Sequence, residues 1–103
     1  MKIIKCIAEK ITEEIHDAEE YIDLATEWKS EEPEAAEVFY QLSTEEMGHA
    51  EKLHGVVTNL IRRYKETNGE PPEAMMALYN YLHKKQIEET MRVKIEQGMF
   101  KAS

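Results

Sequence analysis

A chain of 103 residues with 21 acidic against 13 basic residues, net charge −8, is a poor match for a phosphate backbone, and the pairs Arg62-Arg63 and Lys84-Lys85 are too small to change that. The single cysteine, Cys6, excludes an intrachain disulfide and a thiolate metal cluster, and fits a reducing compartment. No apolar run approaches membrane-spanning length and residues 1–10 lack a secretory apolar block, so one soluble cytoplasmic domain over residues 1–103 is expected, with neither nucleic acid nor membrane as partner.

In chain order, the first predicted helix covers about residues 3–28, rich in helix formers and free of Gly and Pro. Its apolar stripe steps through Ile4, Ile7, Ile11, Glu14, Ala18, Tyr21, Ala25 and Trp28, with one carboxylate interrupting it. A turn near Ser30 to Pro33 follows. Pro33 suits a first helical turn, and Ser30, Glu31, Glu32 and Glu34 favour a helix start through capping and the dipole.

The second helix is expected over about residues 33–65. Its stripe runs Ala35, Phe39, Leu42, Glu46, His49, Leu53, Val56, Leu60, so an acid and an imidazole three residues apart stand inside an apolar seam and are expected to face inward. Thr67-Asn68-Gly69-Glu70-Pro71-Pro72 is the strongest break in the chain. The third helix covers about residues 73–97, with apolar residues on more than one side, among them Tyr81, Ile87, Met91 and Ile95. The fold class is all-α: a long antiparallel hairpin plus a third helix.

Glutamate-x-x-histidine alone means little, because 19 glutamates and 4 histidines in this length give about 0.7 such matches by chance. Three occur. Glu13/His16 falls on a row that reads as solvated, Glu51/His54 on a flanking row, and only Glu46/His49 on a core seam. If the turn folds the helices back on each other, the midpoint of Glu14 and the Glu46/His49 pair is about residue 31, which brings the three side chains level.

Burying these groups without a partner costs several kcal/mol per charge, roughly, out of a total stability of about 5–15 kcal/mol. One resolution is a hydrogen-bonded Glu–His pair within the seam; the other, which three level groups favour, is a metal. One hairpin offers too few ligands for a closed iron or manganese site. A two-fold dimer gathers four glutamates and two histidines in a four-helix bundle, the donor set of a di-iron carboxylate centre, with about one iron per chain.

Glu14-Ile15-His16-Asp17-Ala18-Glu19-Glu20-Tyr21, followed by Phe39 to Leu53 with its Glu-Glu-x-x-His-Ala at residues 45–50, resembles the first two helices of the rubrerythrin-like ferritin superfamily. The similarity spans about residues 10–60 and is greatest to the encapsulated ferritins, whose half-size chains dimerise to complete a ferroxidase centre. The resemblance implies Glu14, Glu46 and His49 as iron ligands and catalytic residues, a ferritin-like four-helix bundle formed by a homodimer or larger homo-oligomer, and Fe(II) oxidation by dioxygen or peroxide. Manganese or zinc would be the substitutes for iron. The sequence departs from that pattern in lacking a second pair of ligand-bearing helices. Its C-terminus, Gln97 to Ser103, has no apolar docking peptide, so encapsulation in a protein shell is not expected.

Among weaker candidates, Tyr21 reads as core or as a hydrogen-bond donor to the ligands, His83 and Glu89 as groups that reach the site if the third helix crosses the bundle end, and Glu45 as a cation guide. Trp28 and Phe39 read as core, and Gly48 as allowing close helix approach or opening a path for a small oxidant. The alternative function is a non-catalytic helical interaction module whose polar seam residues fix pairing register.

Overall fold

The computed structural model describes Lys2–Ser103 and contains three α-helices: α1 (Lys2–Trp28), α2 (Pro33–Asn68) and α3 (Glu73–Ala102). At about 1.5 Å per residue the 36 residues of α2 span about 54 Å, which sets the long dimension of 56 Å. α1 and α2 form an antiparallel hairpin, and α3 lies in one of its two grooves. No helix among the described residues is long and apolar enough to cross a membrane.

The chain breaks fall where the sequence places them, but the caps differ. Pro33 opens α2 with Glu32 before it and no side-chain cap; Ser30 lies in the turn, where Glu32 N–H donates to Trp28 O over 2.8 Å. At the other end α2 runs to Asn68, three residues past the expected boundary. Gly69 closes it at φ 79°, a conformation that costs glycine little, and its N–H donates to Lys65 O. α3 continues five residues past the expected end at 97, through Gly98 to Ala102.

The hairpin core consists of Ile4, Ile11, Ile15 and Ala18 against Met47, Ala50 and Val57, with Val93 added from α3. A second cluster at the turn end joins Ile22, Ala25, Ala36 and Phe100, with Phe39 and Tyr40 packed against it. Phe39 is thus partly in the core as expected, whereas Trp28 is exposed, which corrects its reading as core.

Polar ties add to the apolar contacts that α3 makes through Val93 and Phe100. The Gln86 amide donates to Ala8 O (2.9 Å) and Thr12 Oγ1 (3.1 Å). The Gln97 amide donates to Ser43 Oγ (2.9 Å), which itself donates to Ala18 O (2.7 Å), so one hydroxyl links all three helices. At the turn end the Lys29 ammonium donates to Phe100 O and Ser103 O, the latter at 2.8 Å, and lies 4.4 Å from the Phe100 ring centroid. That places a cation where the last carbonyls of α3 have no helical partner.

Ser43→Ala is expected to cost about 1–3 kcal/mol, because the half-buried Gln97 amide loses its acceptor. Urea unfolding checks this, and a combined Ser43→Ala/Gln97→Leu variant should recover part of the loss.

Candidate metal centre

Glu14, Glu46 and His49 meet near the middle of the hairpin. Each offers one ligand atom such that all three atoms lie within 4.8 Å of one another. His49 Nδ1 is 3.5 Å from Glu14 Oε2 and 3.8 Å from Glu46 Oε2, and Lys10 Nζ is 3.6 Å from Glu14 Oε1. The level placement expected from the hairpin midpoint is therefore realised.

Their burial is uneven. The side chains of Glu14 and Glu46 are 11% and 20% exposed, but that of His49 is 55% exposed, so the expectation that both α2 residues face inward fails for the imidazole. The reason is a rotation of the α2 stripe. The buried positions of α2 are Ala36, Ser43, Met47, Ala50 and Val57, each one residue past a position in the predicted seam. α3 pulls burial towards its own side through Ser43, Met47 and His54, while Glu46, His49 and Leu53 come round on the other flank of the α1 contact, about 100° per residue around the helix. The centre thus lies in the hairpin groove that α3 leaves open.

Two carboxylates this close cannot both stay charged at low cost. Glu46 is pushed up to about 7, first by the hydrogen bond it shares with Glu14, then by burial and by the Glu14 charge. Glu14 is held below its ordinary range, chiefly by that same hydrogen bond and then by Lys10, against the opposing effect of burial. Below about pH 7 the pair holds one proton between two oxygen ligands, with an imidazole beside them. Oxygen donors with one nitrogen are the donor set of iron and manganese, and of zinc when joined by further ligands.

The other candidates lie elsewhere. His83 stacks on His54 (ring centroids 4.7 Å) and Tyr79 (5.6 Å) across the α2–α3 groove, and burial with the neighbouring His54 lowers its pKa. Glu89 pairs with His16, Oε2 to Nε2 2.8 Å, so neither His83 nor Glu89 reaches the centre; His16 itself is exposed, as its row of the helix predicts. The reason is topological: α3 occupies the opposite groove. Among the described residues Tyr21 makes no hydrogen bond to the carboxylates, and Glu45 is exposed outside the cluster. Missed altogether were Lys10, one turn before Glu14, and the Gln86 and Gln97 anchors of α3; only the (i, i+4) spacing of Lys10 and Glu14 signalled the first.

Gly48 does not serve close packing, since a Cβ built there meets no atom within 4 Å. Gly48→Ala is expected to stabilise the chain by about 1 kcal/mol, through helix propensity alone. Thermal unfolding of the metal-free protein checks it.

No protein-family model matches the chain, and no curated protein or solved structure matches it either. Any functional reading therefore stands on the residues themselves.

Proposed function

We propose that the chain is an iron-binding carboxylate protein with ferroxidase-type activity, whose centre is completed when the open grooves of two copies meet. The observation that carries this is the convergence of Glu14, Glu46 and His49 within 4.8 Å in a groove that one chain leaves half covered. Two carboxylates held this close are costly beside an apolar flank, and a divalent cation offsets the cost by replacing the shared proton. Further along the two helices, Ile3 and Val56 are exposed and Leu53 and Leu60 partly buried, apolar surface suited to a partner.

In such a dimer Glu14, Glu46 and His49 of the two copies together would hold the iron. Iron supplies electrons for reduction of dioxygen or peroxide; the chain's part is to hold the ions, exclude bulk water with the flanking aliphatic residues, and take up or give the Glu46 proton as ions enter or leave. The charge count fits, because four carboxylates across two chains balance two divalent cations.

Anaerobic titration with Fe(II) tests the reading. About one iron per chain should bind, accompanied by a shift to a larger species than the metal-free protein forms in sedimentation, and exposure to oxygen should consume Fe(II) faster than the buffer does. Protein that binds neither Fe(II) nor Co(II) would end it. The second reading, a register-setting interaction module, is favoured by the apolar stripe left open on α3. Replacing Glu14, Glu46 and His49 together by Leu separates the two: a module keeps its oligomeric state and gains stability, whereas a metalloprotein loses metal and activity.

A further inference from the structure

The outward side of α3 carries a regular stripe that none of the described residues covers. Its positions are Ala77, Tyr81, Lys84, Glu88, Met91 and Ile95, alternating four and three residues apart, the spacing of a coiled-coil seam. Tyr81, Met91 and Ile95 are 62%, 60% and 60% exposed. Over about 27 Å of helix this is an unusual amount of apolar surface for solvent. Lys84 and Glu88 interrupt it, and neither has an ion-pair partner within the chain among the described residues.

Charge favours self-pairing here. α3 holds five basic and four acidic residues, a net +1, while the rest of the chain carries −9, together the −8 of the whole. It is the one helix that can approach a copy of itself without strong repulsion.

In an antiparallel pair the two seam positions alternate, so each layer joins one kind of position to the other and the registers differ by seven residues. Slipped one way, Glu88 meets Ala77 and Lys84 meets Tyr81; slipped the other, Glu88 meets Met91 and Lys84 meets Ile95, and each leaves a charge against an uncharged side chain. The middle register sets Lys84 against Glu88 twice, Tyr81 against Met91 twice and Ala77 against Ile95 twice. We propose that the outer stripe of α3 pairs with the same stripe of a second copy, antiparallel, about a two-fold axis level with residue 86. The central ion pairs fix the register and the apolar layers on either side supply the contact. This surface lies away from the Glu14 groove, so it requires no metal and stands whether or not the iron reading does.

Cross-linking tests it in metal-free protein with chelator present, on a Cys6→Ser background. Tyr81→Cys combined with Met91→Cys should oxidise to a covalent dimer, while Tyr81→Cys combined with Ile95→Cys should give several-fold less. Equal yields, or none in either, would overturn the register. Sedimentation then reads the charges: Lys84→Glu should weaken association at least tenfold, and Lys84→Glu/Glu88→Lys should restore it. A double variant no tighter than the single one overturns the proposal, as does a monomer at all concentrations of the Cys6→Ser chain. All these positions are exposed, and unchanged circular dichroism will confirm that the variants fold. Iron bound per chain should be unaffected by any of them, which separates failure here from failure at the metal centre.

Discussion

Glu46→Gln is expected to lower the affinity for Fe(II) by at least about a hundredfold, close to 3 kcal/mol, while leaving the metal-free protein as stable as before or slightly more so. The two halves of that result have one cause. In the metal-free chain Glu46 is pushed up to about 7 and shares a hydrogen bond with Glu14; the Gln amide can donate in the same way and never acquires the second negative charge. Towards a cation it is a neutral, weaker donor, and the site loses the charge that would balance the metal. Anaerobic titration and thermal unfolding of the same preparation check both halves. Equal Fe(II) affinity in variant and parent would remove Glu46 from the ligand set. A collapse of metal-free stability would mean that the carboxylate is needed by the fold itself.

The second large effect is on pH. The proton shared by Glu46 and Glu14 sets the least effect expected, since a ligating imidazole must also be neutral and can only steepen the fall. With Glu46 at about 7 in the folded chain, metal must displace that proton below neutrality, and apparent affinity for Co(II) or anaerobic Fe(II) should fall roughly eightyfold between pH 7.5 and pH 5. Stability of the metal-free fold moves the opposite way. The Glu46 value lies above its ordinary 4.5, so the folded state binds more protons than the unfolded one between these two values. Its contribution is complete below pH 4.5 and is lost as pH rises through about 7. Glu14, shifted down, contributes above its ordinary range and loses that only under more acid conditions. The stabilisation conferred by saturating metal, read as the rise in melting temperature, should therefore be larger at pH 8 than at pH 6. A rise independent of pH would mean that the cation does not displace the shared proton.

Helix periodicity located the three helices, the turn near residue 31 and the level of Glu14 with Glu46 and His49, because these depend on local spacing and on hairpin symmetry. In α2 full burial falls one residue past the expected stripe, although Phe39, Leu53 and Leu60 on that stripe still pack against the core. An apolar pattern reports the mean direction of every surface a helix is built to cover, and here that mean lies between the groove α3 fills and the groove left open. In α1 the pattern did better: Ile4, Ile11, Glu14, Ala18 and Ala25 are buried as expected, and only at two steps does burial pass to the next residue, from Ile7 to Ala8 and from Tyr21 to Ile22. The inner face of α3 was invisible for a different reason. Its contacts with the hairpin join Val93 and Phe100 to Gln86 and Gln97, which hydropathy scores as solvated, whereas the conspicuous Tyr81, Met91 and Ile95 point away. His83 and Glu89 were expected at the centre only if α3 crossed the bundle end, and α3 instead packs them against His54 and His16.

The clamp at Lys29 bears on the order in which the molecule comes together. α1 and α2 meet across a tight turn, with their nearest contacts close in sequence, whereas Lys29 reaches Phe100 and Ser103 across 71 and 74 residues. Contacts that close so long a loop form late, after the local hairpin has already collapsed. α3 is then the last element to dock and the first to lift away, tethered at one end by the chain after Gly69 and at the other by the Lys29 ammonium. Amide hydrogen exchange should accordingly divide the molecule into two tiers, with slow protons in the hairpin and faster ones along α3. The Glu14 groove belongs to the slow tier, so the centre can persist through openings that repeatedly expose the opposite face.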